Sequence, residues 1–255
     1  MTNKHAIHKR LTTHNSQLTK YAFTLAETLI VMGIIGVVAA LTLPNLNSST
    51  GDKEKVVKVK KIYQNLNDAF GRAKAIYGPV SEWTQEDLTE VEKSARQAQR
   101  LLEFLKVSKD CSSKQGCWHN SVTLSLNGDT KSIAYGNNFD KNTRDYRLIL
   151  ADGTAININQ NFWIDVDIDG PNKGPNVMGK DIFAFGVADD ELYPFGSDKV
   201  LFEKNKYPDD CFNTGSSCAR WVIDNGNMDY LKVDSNGKCP DGKTVLDGTT
   251  NTACK

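Results

Sequence analysis

Between Phe23 and Leu46 the chain reads FTLAETLIVMGIIGVVAALTLPNL, the one long apolar run in its 255 residues. As a helix these 24 residues would reach about 36 Å, enough to cross a bilayer core of about 30 Å. The flanks orient the run. Residues 1–22 carry Lys4, Lys9, Arg10 and Lys20 with no acid, whereas the remaining residues hold 27 basic and 31 acidic side chains. A basic N-terminal flank keeps residues 1–22 cytoplasmic and sends everything after Leu46 across the membrane. All six cysteines, Cys111, Cys117, Cys211, Cys218, Cys239 and Cys254, then face an oxidising space.

Composition excludes several classes. With 24% charged and 9% aromatic residues the chain is foldable, which sets aside wholesale disorder, collagen-like repetition and a polytopic membrane protein. Zero net charge argues against a nucleic-acid binder dominated by phosphate contacts. Within the apolar run Glu27 is the exception, since a carboxylate there needs a partner, a lost charge or a place near the headgroups. Gly33, Gly36 and Ala40 are small residues at helical spacings that permit close helix approach. Pro44 lacks a backbone donor and is expected to kink or interrupt the helix.

Lys20-Tyr21-Ala22, then Phe23-Thr24-Leu25-Ala26-Glu27-Thr28-Leu29-Ile30, then an apolar stretch ending in Pro44, resembles the N-terminal segment of type IV prepilins and type II secretion pseudopilins. The resemblance covers about 25 residues. It implies cleavage between Ala22 and Phe23 by a prepilin peptidase, N-methylation of Phe23, and a role for Glu27 in recruitment into a filament of like subunits by inner-membrane assembly machinery. Pairing the new ammonium of Phe23 on one subunit with Glu27 of a neighbour would cancel two desolvation penalties together. Ala22 stands where such leaders usually end in Gly. The implied fold is α+β and pilin-like: a long N-terminal helix, membrane-spanning in its first half, packed on an antiparallel sheet with disulfide-stapled loops. The organisation expected is a leader over 1–22, an assembly helix over 23–46 and an exported head over 47–255. The resemblance places the subunit first in the inner membrane, then in a pilus or pseudopilus in the periplasm or at the cell surface.

The head can be read from its own patterns. After a polar hinge at 45–52, Val59, Ile62, Leu66, Ala69, Ala73 and Ile76 recur at steps of three and four, an amphipathic helix ending at Gly78-Pro79, with Tyr63, Phe70 and Tyr77 widening its core face. Thr84 reads as the cap of a second helix running to about Val107, with Leu88, Val91, Ala95, Ala98, Leu102 and Leu105 inward and Arg96, Arg100 and Lys106 solvated. Strands are expected at 122–126 and 132–135 around Asn127-Gly128-Asp129, and at 146–150 and 154–158 around Asp152-Gly153. Further strands are expected at 162–168, 181–187, 199–202, 221–223 and 230–233. Six cysteines allow fifteen connectivities; the simplest pairs neighbours in sequence, Cys111 with Cys117, Cys211 with Cys218 and Cys239 with Cys254. Zinc is disfavoured, because no CxxC occurs and His119 is the only exported histidine.

Asp165-Val166-Asp167-Ile168-Asp169-Gly170 places carboxylates at alternate positions before a glycine, hard oxygen ligands of the kind that open a calcium loop. Asn176 stands where an EF-hand requires Glu, so the motif is not an EF-hand. A pseudopilin-like calcium loop would use Asp167 and Asp169, with Asp181 and Asp165 as further candidates. The competing reading is turn chemistry, with Asp165 and Asp167 pointing outward on an exposed strand that enters a Gly-Pro turn. HExxH, GxSxG and phosphate-loop motifs are absent, so no enzyme is expected. Two rivals to a filament subunit stay open: a membrane-anchored adhesive or binding module that never polymerises, and a soluble exported protein cut after Ala40 by an ordinary signal peptidase.

Overall fold

The computed structural model of the chain describes residues 24–130, 138–200 and 207–254, and of residues 39–50 the backbone alone. Two compact units divide it, Met1–Asn47 and Ser48–Lys255. Helix α1 is Leu25–Tyr77. It runs through Pro44 and the polar 45–52 segment, where an interruption and a hinge were expected. Among the described residues no helix is long and apolar enough to cross a membrane; described side chains of the apolar run stop at Val38.

The second unit is α+β. Its strands β1 (Val107–Ser112), β2 (Tyr146–Leu150), β3 (Ala155–Ile158), β4 (Trp163–Asp167), β5 (Ile182–Ala188) and β6 (Glu191–Pro194) form one antiparallel sheet in sequential order. Period-two alternation gives the sheet two covered faces. Leu148, Ile156, Ile158, Ile164, Val166, Phe183 and Phe185 point to the main core, where they meet Val59, Ile62, Leu66, Ala69, Phe70 and Ala73 of α1. Tyr63 stacks on Phe185 at 5.5 Å between ring centroids. On the other face Ala155, Ile182 and Ala184 pack under Trp118, Phe139, Met178 and Phe195. Loops make that second cover, and Arg147 holds them: fully buried, it donates to the carbonyls of Ser113, Lys114, Phe139 and Asn142.

Helix α2 (Glu90–Leu102) begins at Thr89, not Thr84, because Thr89 and Glu92 close a capping box in which each side chain accepts the other's backbone N–H. Its buried face is Ser94, Gln97, Ala98 and Leu101, with Ala95, Leu102 and Leu105 packed at the margin and Val91 exposed. Arg100 is not a solvated residue; its guanidinium lies 4.4 Å from the Tyr77 ring centroid. At the far end of α1 Ile76 is 63% exposed. The helix ends one residue later at Tyr77, which packs at the margin of the core while Ile76 faces outward.

Several expected strands are something else. Residues 122–126 contribute only a single parallel bridge, Leu124 to Val177, and the partner segment 132–135 lies outside the described residues. Residues 199 and 200 are turn, with 201–202 outside the description. Residues 221–223 belong to helix α4 (Cys218–Asn225), which follows the short α3 (Asp209–Asn213), and 230–233 overlaps a 3₁₀ turn, Asp229–Lys232. Gly226 closes α4 in the left-handed region (φ 66°), the C-cap conformation that glycine adopts without penalty.

Candidate functional site

Thr24 caps α1. Its carbonyl accepts the N–H of Thr28 at 3.2 Å, and its hydroxyl accepts the N–H of Glu27 at 3.2 Å. Glu27 Oε2 answers by accepting the backbone N–H of Thr24 at 2.9 Å and its hydroxyl at 2.8 Å. This is a capping box, two orphan donors satisfied reciprocally. Its signal, Thr24-x-x-Glu27, stands in the sequence beside the apolar run, and the reading of Glu27 as a charge in need of a partner passed over it. Ala22 and Phe23, the residues of the expected cleavage, lie outside the described residues.

Beyond the cap the helix is apolar on every side. Leu25, Leu29, Ile30, Val31, Met32, Ile34, Ile35, Val37 and Val38 are each more than half exposed, and at 100° per residue they point around the whole circumference. A Cβ built on Gly33 or Gly36 would meet nothing within 4 Å. A helix hydrophobic all round belongs in a protein core or a bilayer. Covering these nine side chains would contribute on the order of 10 kcal/mol or more. A single copy does not cover them.

The acids of the 165–181 segment divide into three separate arrangements. Asp165 is buried on central strand β4, where Asn157 Nδ2 donates to it at 3.3 Å and to Asp145 at 3.0 Å; burial pushes its carboxyl up to about 7, against the Asn157 hydrogen bond. Asp167 is fully buried and accepts the N–H groups of Asp169 and Gly170, the first turn after β4. Burial, and the Asp169 carboxyl beside it, push Asp167 up to about 7. Asp181 accepts the N–H groups of Asn176 and Val177, both at 2.7 Å, and burial raises it too. The strand is therefore not exposed, and the outward-pointing acids of the turn reading are interior groups. Two carboxylate oxygens, Asp167 Oδ2 and Asp169 Oδ1, are buried without a hydrogen-bond partner. Both oxygens of Asp181 are engaged by backbone donors. Among the described residues no group of three or more Asp, Glu, His or Cys side chains comes together to hold a metal ion.

All six cysteines are oxidised in the nearest-neighbour pairing, Cys111–Cys117, Cys211–Cys218 and Cys239–Cys254. The first closes the loop leaving β1, the second ties α3 to α4, and the third anchors the C-terminal segment. His119 is buried, with Nδ1 at 3.1 Å from Ser121 Oγ and Nε2 at 3.1 Å from Thr123 Oγ1. Burial lowers its pKa. No nucleophile partner for His119 was evident in the sequence, yet the fold supplies a hydroxyl. The group on the opposite nitrogen is another hydroxyl and not the carboxylate that orients a catalytic imidazole, so both ring nitrogens serve to pin the 119–123 loop.

Comparison of the chain with protein-family models, curated proteins and solved structures finds no match.

Proposed function

We propose that the chain is a structural subunit of a type IV pilus or pseudopilus, inserted in the inner membrane with residues 1–22 cytoplasmic and the head exported. A prepilin peptidase would cut between Ala22 and Phe23, and the apolar helix would then pass from bilayer to filament core. The observation that carries this reading is the start of α1. A capped helix with uncovered apolar side chains on every side continues, in the same element, into turns that pack on an antiparallel sheet stapled by disulfides. Lateral association of such helices would bury the exposed side chains and use Gly33 and Gly36 for close approach. Three disulfides suit an exported head.

The test is the N-terminal residue and intact mass of the membrane-associated protein, made with a prepilin peptidase present. The expected product begins at methylated Phe23. A chain beginning at Leu41 would replace the proposal with a soluble exported protein, and an uncut chain would replace it with a static anchor carrying a binding head.

A further inference from the structure

On the outward side of α1, Lys61, Asn65, Asp68 and Arg72 follow one another at steps of four and three, the spacing that sets side chains in one row on a helix. All four are exposed, and they form one wall of a groove of about 400 Å³. The facing wall is made by Phe104, Leu105 and Lys106, on the way from α2 to β1, and by the β2–β3 turn at 150–152. Backbone bonds fix that wall: the Ala151 N–H donates to the Lys106 carbonyl at 2.7 Å, and the Val107 N–H to the Leu105 carbonyl at 3.0 Å. Lys61 bridges the two walls at one end through its ion pair with Asp152 at 3.0 Å. Every residue of the groove belongs to the second unit.

Cationic donors stay free along it. Arg72 meets Asp68 through Nε alone, at 3.0 Å. Among the described residues its two Nη groups, the Lys106 ammonium and the Asn65 amide have no hydrogen-bond or ion-pair partner. Lys61, Arg72 and Lys106 stand against Asp68 and Asp152, a surplus of one positive charge. Beneath them Leu150 is buried and Phe104 and Leu105 pack at the margin of the core, which gives an apolar floor. One surplus charge with two free cations suits a single carboxylate, which Arg and Lys hold by charge-assisted hydrogen bonds. Asn65 and Asp68 add mixed donors and acceptors, the complement of hydroxyls, which both donate and accept. An extended peptide is taken up on a strand edge through main-chain bonds, and here one wall is helix and the other a loop and a turn. A small apolar acid would be enclosed on most sides, whereas this groove is open to solvent. From Lys61 to Arg72 it follows α1 for about 16 Å, roughly three linked pyranose rings. We infer that the groove binds an acidic oligosaccharide, its carboxylate drawn by Lys106 and Arg72 and its rings lying against Phe104 and Leu105.

The test is a titration of the isotope-labelled full chain, in a sugar-free detergent, with aldotriouronic acid (glucuronosyl xylobiose) and with xylotriose, its neutral counterpart of equal length. Backbone amide shifts are followed by NMR. Saturable shifts at Asn65, Lys106 and Ala151 are expected with the acid, and xylotriose should bind at least about tenfold more weakly, as should the acid to Lys106→Ala, the worth of one charge-assisted hydrogen bond. Lys106→Ala should keep the wild-type urea midpoint, because its exposed side chain has no partner to lose. Equal binding of the two sugars would overturn the acidic assignment, and no saturable shift with either would overturn the site. Binding unaltered in Lys106→Ala would place the sugar elsewhere and overturn it as well. Tighter binding of the acidic peptide acetyl-Leu-Glu-Leu-amide at the same amides would assign the groove to a peptide in place of the sugar.

Discussion

Leu66 and Ile76 stand on one stripe of the sequence periodicity, yet Leu66 is fully buried under the sheet and Ile76 is 63% exposed. Replacing each with alanine should therefore separate them sharply. Leu66→Ala removes three carbons from a site with no solvent contact, about 2.4 kcal/mol at 0.8 kcal/mol per buried methylene, and the unfilled cavity brings the cost to about 3 kcal/mol or more. Ile76→Ala removes three carbons that are little more than one-third buried, about 0.9 kcal/mol on the same scale. Relief of a β-branched side chain in a helix returns about 0.4 kcal/mol, leaving about 0.5 kcal/mol. The assay is urea unfolding of the oxidised full chain in detergent, followed by tryptophan fluorescence; Trp83, Trp118 and Trp221 are all buried and should report loss of the core. A difference of about 2.5 kcal/mol between the two variants is expected. Equal costs, or an Ile76→Ala cost above about 2 kcal/mol, would mean that α1 is rotated on the sheet or that its last turn is covered, and the packing described above would be wrong.

Asp165 is protonated in the native state up to about pH 7 but ionised in the unfolded chain above about pH 4. The native state thus binds the extra proton in that window, and its stability must fall as pH rises from 4 to 7. The full span of about 3 pH units, at about 1.4 kcal/mol each, sets an upper bound of about 4 kcal/mol, and Asp165→Asn should remove this slope; parallel pH profiles for wild type and variant would refute it. Replacing Cys239 and Cys254 with alanine opens a loop of sequence separation 15 and should cost about 3 kcal/mol in urea midpoint measurements. Thr89→Ala breaks the capping box of α2 and should cost about 1 kcal/mol in the same assay. Thr24→Val and Glu27→Ala both break the first capping box. Filament assays should nevertheless tell them apart: Thr24→Val is expected to assemble, whereas Glu27→Ala is expected to stay in the membrane unassembled.

Sequence patterns revealed the parts of the head in which local chemistry and tertiary packing agree. Asp152-Gly153 between two β-branched and aliphatic runs became the β2–β3 hairpin, with the Leu150 N–H donating to the Thr154 carbonyl across the turn at 2.8 Å. The period of three and four from Val59 to Ala73 became the buried face of α1. Where they disagree, the residue types misled. Trp221, Val222 and Ile223 favour strands, but they lie between a disulfide at Cys218 and a left-handed Gly226 that together frame one short helix. The sheet edges were hidden for the opposite reason. Strand β1 carries Lys109, Asp110 and exposed serines with two register irregularities, the polar and bulged character of an edge that resists further pairing. Two threonines competed to cap α2, and Thr89 won because Glu92 closes a full box whereas Thr84 has Asp87 at the reciprocal position. The acids of 165–181 were read from spacing alone, which gives a common strand face but not its burial; that comes from the loops held by Arg147, distant in sequence from all of them.

The cap at Thr24 gives the proposed processing step a physical consequence. In the precursor the nitrogen of residue 23 is a neutral amide, and the capping box already satisfies the helix start, with Glu27 lending its negative charge to the positive end of the helix dipole. Cleavage would convert that nitrogen into an ammonium at the same end, where the dipole disfavours it, and an apolar filament core would raise the cost of leaving it unpaired. The backbone N–H and the hydroxyl of Thr24 both donate to Oε2 of Glu27, so the carboxylate can keep the box through one oxygen and meet a cation through the other. The same side chain would then cap a helix in one copy and neutralise the new terminus of the next. Under the proposed function, cutting the leader would make Glu27 a necessary counter-charge, and assembly would become favourable only after the cut.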